Sequence, residues 1–505
     1  MGWVALAVLT AGVPISAQTL GNQSLSGKYF FRHVSLGTDG SGNLTDPRSL
    51  IGAMTFDGSG HYSYIGQQII GTAAAASASG SGAYSVGPAG FVAMDSPLRS
   101  GATVNARLGS SVVLGSTTES TDNTFDLFAA ILAPTASVGS TLAGPYWAVT
   151  LEFPGGSRAN ARSAFFGLSS TVAGQFAAIN VNGHAANLAG GLPTTQAVTG
   201  ATYTMGTDGT GSGTFGAAST TALLSGSRTL YVSADGNTLL GGSTAAGSHD
   251  FLIAVRADAG AGNGSWKTAF WAAGLRSDSS LALGYAGAVS ARGLGNLTWT
   301  RRYKQLGSGA YDYTGVQTYT LNSDASGAVQ AAGASLGPVA LGAGGSTFVG
   351  AIINSNDAGG FEIFFGAQMN AVSGTGVFLN PQGVFNAASY APAGNPIAPG
   401  EYVSLFGTGL AAGSKQATSP PYPFTLNSVT VLINGKAAAL EYVSATQINC
   451  VVPYATQGPT ATVVVQNGTA NSNTVTVPVA ATAPGFFTAA RVSPRSTTAT
   501  PPGER

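Results

Sequence analysis

This chain reads as all-β: three antiparallel β-barrel-like, up-and-down meander modules of about 120 residues each, followed by a β-sandwich. Three observations carry that reading. Gly makes up 73 of 505 residues while charged residues reach only 8%, so turn formers are plentiful and the Lys and Glu that support helices are scarce. The apolar content sits in short β-branched runs ended by Gly, Asn or Pro, the pattern of strands. Finally, three sequence markers recur in the same order along residues 20–380.

The N-terminal element comes first. Val4-Ala-Leu-Ala-Val-Leu-Thr-Ala-Gly-Val13, then Pro14 and Ile15-Ser-Ala17, has the layout of a signal-peptide apolar core and cleavage site, with residues 1–17 removed. It is too short to span a bilayer, which takes about 20 apolar residues, and no later stretch reads as a transmembrane helix.

The modules follow, at residues 18–137, 138–262 and 263–380. Leu25-Ser-Gly-Lys-Tyr-Phe-Phe31 answers to Leu142-Ala-Gly-Pro-Tyr-Trp-Ala148 and to Trp266-Lys-Thr-Ala-Phe-Trp-Ala272. Tyr84, Tyr203 and Tyr319 recur in alternating runs. Closing strands recur at Phe125–Ile131, His249–Val255 and Phe361–Gly366. Units of this length each bury a core of their own, unlike the repeats of about 20–50 residues in solenoids and propellers. The first module holds eight candidate strands: Lys28–Val34, Leu50–Phe56, His61–Gln67, Gly82–Val86, Gly90–Met94, Val104–Leu108, Ser111–Leu114 and Asp126–Leu132. Tight links favour a meander, and closing it into a barrel removes its unpaired edges; a sandwich is the alternative. The Gly/Ala/Ser stretches at Ala73–Gly82, Ala185–Gly191 and Gly333–Gly345 read as loops within the modules.

Residues 381–490 are the sandwich. Val429-Thr-Val-Leu-Ile-Asn-Gly435 and Ala461-Thr-Val-Val-Val-Gln-Asn-Gly468 both end in Asn-Gly, a two-residue hairpin signal, and six or seven strands in about 90 residues is immunoglobulin-like arithmetic. Cys450 alternates with Ile448 and Val452 and reads as a small core residue; a single cysteine excludes an intramolecular disulfide.

Here the chain also resembles a known family. Phe385-Asn-Ala-Ala-Ser-Tyr390, Pro399-Gly400, Phe406-Gly-Thr-Gly-Leu410, Val431–Gly435, Tyr442-Val-Ser444, Gln447-Ile-Asn449 with Val452-Pro453, and Ala483-Pro-Gly-Phe-Phe487 are similar to the Solibacter-type uncharacterised C-terminal domain family, whose first half is IPT/TIG-like. The resemblance covers residues 382–490 and implies a non-catalytic β-sandwich at the end of exported bacterial proteins. Members of that family usually continue into a second β-rich half. Here residues 491–505 are Pro/Ser/Thr-rich and expected to be disordered.

Chemistry-bearing patterns are sparse. Twenty basic and 20 acidic residues balance, which leaves no electrostatic footprint for nucleic acid or an anionic membrane. His33, His61, His184 and His249 have no metal-ligand spacing. Gly209-Thr-Gly-Ser-Gly213 lacks the Lys of a phosphate loop and reads as a hairpin. Asp39-Gly-Ser-Gly-Asn-Leu-Thr-Asp46 only loosely follows a calcium loop. Asp126, Asp250 and Glu362 recur on the closing strands, one per module, without forming a pair, and read as polar face positions or charges blunting an exposed strand. The aromatics of the first strands, Tyr29/Phe31, Tyr146/Trp147 and Phe270/Trp271, read as core packing, or else as a platform for a sugar or apolar ligand in a barrel mouth.

The expectation is therefore a non-enzymatic exported bacterial protein of the cell envelope or extracellular space, with a structural, adhesion or display role. Its partner would be a protein or glycan at the cell surface, with no cofactor, metal or catalytic residue assigned. The alternatives are ligand-binding barrels for a glycan or small apolar molecule and, behind them, a glycan-active enzyme with acids assembled across modules.

Overall fold

The first strand pairs with its neighbour and with the last strand of the same module, and that double pairing organises the chain. The computed structural model describes residues 20–139, 142, 144–277, 282–331, 333–353, 360–372, 374–389 and 394–485. The N-terminal apolar run and the 491–505 tail lie outside them.

Ser26–Thr38, Leu44–Asp57, His61–Ile70, Ala76–Val86, Phe91–Asp95, Thr103–Gly109, Val112–Ser116 and Thr124–Leu132 form a closed barrel in chain order. Each overlaps one of the eight strands expected from the sequence. Closure sets Tyr29 opposite Leu132 and Ser35 opposite Asp126. A second closed eight-stranded barrel runs from Lys267–Ser277 to Phe361–Gln368.

Two of the expected loops are strands. Ala76–Val86 pairs with its neighbour from His61 to Gln68, with Gly82 opposite Tyr62 and Gly80 opposite Tyr64. The two tyrosine rings lie over these glycines, where an added Cβ would come within 2.6 Å and 2.8 Å of them. Cross-strand tyrosines supply the packing surface that Gly lacks, which overrides the weak strand propensity of the stretch. Ala334–Leu341 is likewise a strand, and Ala185 ends the strand Ile179–Ala185 before a short turn at Ala189–Gly191.

The middle module departs from closure. It is an eleven-stranded sheet in which Tyr146–Phe153 still pairs with the closing strand His249–Arg256, but Ser170–Val172 and Thr194–Val198 are free edges. Ser170–Val172 folds back on Gln175–Phe176 at Gly174 (φ 83°), and that local hairpin takes up the pairing that a closing strand would need. A tyrosine latch marks the same contrast. In the first barrel Tyr84 Oη donates to the Leu25 carbonyl (2.7 Å), and in the last Tyr319 Oη donates to the carbonyls of Asn263 (2.7 Å) and Trp266 (3.2 Å). In the open module Tyr203 Oη meets Ser170 Oγ instead (2.8 Å).

The three modules share a core. Along each first strand one aromatic faces its own interior and the next faces out. Tyr29, Tyr146 and Phe270 occupy one register, opposite Leu132, Arg256 and Gln368, and point inward. Phe30, Trp147 and Trp271 point outward, each against another module. Phe30 stacks on Tyr231 of the middle module at 4.4 Å. Trp147 Nε1 donates to the Asp324 carbonyl of the last barrel at 2.8 Å. Trp271 meets Phe91 of the first barrel edge-on at 5.3 Å. The chain leaving each module makes the same circuit: Ala234 N–H donates to the Leu132 carbonyl, Asp258 N–H to that of Leu341, and Ser110 N–H to that of Gln368. The ring therefore closes, and Val34, Leu127, Leu151, Ile253, Leu275 and Ile363 fill its middle. Burying each such side chain contributes roughly 1.5–3 kcal/mol.

The C-terminal domain is two facing sheets. Phe378–Asn386, Tyr402–Thr408, Gln447–Val451, Ala439–Val443 and Lys415–Gln416 form one; Val429–Ile433, Lys436–Ala437, Thr460–Asn467, Ala470–Asn471 and Val475–Pro478 form the other. Alternate residues meet between them, Val403, Leu405, Ile448 and Cys450 against Val431, Ile433, Val463 and Val465. Asn434-Gly435 turns with positive φ at both positions (48° and 73°), as expected. At the other Asn-Gly, Asn467 stays in the strand opposite Ala470, so the turn is Gly468-Thr469, with Gly first.

Candidate functional site

Each module carries one acid at the same register on its closing strand. Asp126 lies opposite Ser35, Asp250 opposite Glu152 and Glu362 opposite Arg276. These acids blunt no exposed strand: they are 1%, 0% and 6% exposed, because the closing strands lie between modules. Each meets a different set of partners.

Asp126 accepts from the Thr117 N–H (2.6 Å) and the Ser116 hydroxyl (2.8 Å), and its other oxygen meets His33 Nε2 at 2.7 Å. Burial pushes its carboxyl up, but the His33 bond and charge and these donors outweigh burial and leave it below its ordinary value. The serine here bonds the acid and not the histidine, so no base activates it.

In the middle module the strands bring Glu152 and Asp250 side by side, a carboxylate pair that the one-acid-per-module reading did not foresee. Arg228 bridges them, Nη2 to Glu152 Oε1 at 2.5 Å and Nε to Asp250 Oδ2 at 2.7 Å. Arg162 stands 3.6 Å from Glu152. Arg32 reaches in from the first barrel to Asp250 Oδ1 at 2.9 Å. Burial raises the Glu152 carboxyl against the pull of Arg228 and Arg162. In the last barrel Glu362 accepts from Tyr285 Oη at 2.8 Å, and Arg301 lies over the Trp299 ring at 3.9 Å.

His249 begins its strand but is fully buried, with Nε2 2.7 Å from the Gly71 carbonyl; His61 is exposed at its strand start. Asp39 bonds the backbone N–H groups of Ser41 and Asn43 at 2.9 Å each, an Asx turn. Among the described residues no cluster has the makings of a metal site. Burial pushes the Cys450 thiol up to about 12, as fits a core residue.

The aromatics singled out in the sequence do not gather at one place. Tyr29 and Phe31 lie in the first barrel's interior, Tyr146 in the middle module's and Phe270 in the last barrel's. Trp147 stacks on Phe165 at 5.0 Å. Trp271 lines a cleft, which lies not in a barrel mouth but where the first barrel, the last barrel and the C-terminal domain meet.

That cleft holds about 710 Å³. Its aromatic wall is Phe91 with the buried Trp271; the Arg107 guanidinium lies 4.3 Å over the first ring and 5.6 Å from the second. On the opposite wall Arg302 is held by Glu119 (2.8 and 2.9 Å) and Asp312 (3.1 Å). Beside it Lys304 ties the barrels together through Asp122 (2.7 Å) and the Thr124 carbonyl (2.7 Å). Among the described residues Arg107 makes no ion pair; its Nη1 donates to the Ala106 carbonyl (2.9 Å), while its buried Nε has no partner there. Burial pulls it down to about 10 against the more distant Glu119 and Asp312. No sequence signal marked it, because one Arg in an alternating strand reads as a solvated position.

No curated protein matches the chain. A likeness to transferrin-binding protein B from Haemophilus parasuis Hp5 has 8% identity and a TM-score of 0.23, covering 70% of this chain and 77% of that one. One to a beta clamp from H. pylori has 8% identity and a TM-score of 0.10, covering 67% and 92%. At such scores neither bears on fold or function. Residues 388–480 match the IPT/TIG domain family, so the C-terminal sandwich is an immunoglobulin-like domain of that type.

Proposed function

We propose that this chain is a non-enzymatic exported bacterial protein of the cell envelope or extracellular space. A stiff ring of three related β modules would carry the IPT/TIG-like domain for adhesion, display or structural association. One observation carries the reading: the groups that most resemble catalytic ones are used up inside the ring. Asp126 is tied to His33, Glu152 and Asp250 to arginines, and Glu362 to Tyr285, all at 6% exposure or less. A substrate cannot reach a carboxylate so placed. The shared registers of the three closing acids and three inward aromatics support descent of the modules from one unit. The apolar run ending at Ala17 supports export.

The test is expression with the native N-terminus in a bacterial host, followed by fractionation and mass measurement. The expected product starts at Gln18 and is recovered outside the cytoplasm; retention of the uncleaved chain inside the cell overturns export. Hydrolysis of any polysaccharide that is lost in Asp250→Asn overturns the non-enzymatic role.

A further inference from the structure

The three-body cleft has features that packing alone does not account for. Two donors on one wall lack acceptors: Arg107 Nε and Trp271 Nε1 are both buried and unpartnered. Trp271 is 0% exposed, so its indole backs this wall out of a ligand's reach, whereas Arg107 is only partly buried and lines the cleft. Among the described residues Arg107 is also the cation of this cleft that no carboxylate bonds directly, since Glu119 and Asp312 bond Arg302 and act on Arg107 only at a distance. The rest of the lining is small and mixed. Ala288, Pro478 and Val479 offer apolar surface, while Ser85, Asn105 and Thr118 offer hydroxyl and amide groups. Volumes of about 300–1,000 Å³ are those of small-ligand sites.

We propose that this cleft binds a carboxylate-bearing saccharide of about two rings. In it the carboxylate is received by the partly buried Arg107 guanidinium, on the side away from its bond to the Ala106 carbonyl. The sugar hydroxyls face Ser85, Asn105 and Thr118. A guanidinium fork matches a planar carboxylate, and burial of the donors strengthens that bond. A neutral sugar can accept from the guanidinium but leaves its charge without a counter-ion, and a purely apolar ligand would also strand the hydroxyl-bearing wall. The cleft is formed only when both barrels and the IPT/TIG-like domain are in place, so the full chain is the binding unit.

The experiment is calorimetric titration of the purified full chain with uronic-acid disaccharides (galacturonate, glucuronate and mannuronate), each beside its methyl ester. The esters keep shape and remove charge. At least one acid is expected to bind about tenfold or more tightly than its ester. Arg107→Gln should weaken that acid by about tenfold or more. Ser85→Trp, at an exposed position on the wall, should block it with the unfolding temperature unchanged. Equal affinity for acid and ester, binding untouched by both variants, or no binding by any of the acids at millimolar concentration overturns the proposal. Because the purified chain is titrated, failure of the export reading would leave this result unaffected.

Discussion

Arg32 and Asp250, 218 residues apart, form an ion pair between the first barrel and the middle module with side chains at 1% and 0% exposure. Arg32 Nη2 reaches Asp250 Oδ1 at 2.9 Å, and Nε donates to the Asp250 carbonyl at 2.7 Å. Removing one partner strands a buried charge, which typically costs about 3–5 kcal/mol. Arg32→Ala should lose about that much stability in denaturant unfolding. A loss under about 1 kcal/mol would show that water or Arg228 takes over.

Gly242 makes that crossing possible. An added Cβ there would lie 2.6 Å from the Arg32 guanidinium carbon. Gly242→Ala should therefore expel Arg32 and destabilise the chain nearly as much as Arg32→Ala does. The two changes share one interaction, so the double variant should cost little more than either alone. Additive costs would mean that Gly242 serves some other purpose.

The tyrosine latches should be unequal. Tyr84→Phe and Tyr319→Phe each leave entry carbonyls without a donor and should cost about 1 kcal/mol or somewhat more. Tyr203→Phe loses one bond to a serine that water can reach, so its cost should be smaller. Thermal unfolding of the three variants orders them, and a larger effect at Tyr203 would refute the latch.

Glu401 supplies a pH dependence. Burial raises its carboxyl to about 7, despite the Ala398 N–H and Asn386 amide that favour the ionised form. In the unfolded chain the group titrates near pH 4.3, so the folded state holds the proton more tightly. The stability this contributes is complete below about pH 4 and lost as pH rises through about 7. Allowing for partial exposure, the loss is about 2 kcal/mol. Glu401→Gln should gain on wild type between pH 5 and 8 in unfolding measured at each pH. A constant difference across that range would remove Glu401 as the cause.

Much of the architecture was legible along the chain. Strand positions in the first barrel follow from alternation and turn residues, and the entry, tyrosine and closing-strand markers fall at matched places in the sheets. Glycine-rich Ala76–Val86 was not legible, because its strand character comes from Tyr62 and Tyr64 on the neighbouring strand. The opening of the middle module was hidden for a similar reason: a hairpin as short as Ser170–Phe176 is too brief for periodicity to expose.

By itself the sequence determined that the chain folds as β-sheet, roughly where the strands of the first barrel lie, and that its last domain is a sandwich around Cys450, since these depend on local alternation and turn chemistry. Which aromatic of each pair turns inward, the meeting of Arg32 with Asp250, and the cleft beside Arg107 were decided only in three dimensions. A strand buried on both faces shows no alternation to tell its own interior from a neighbour's wall. Charges matched across 218 residues have no local signature either.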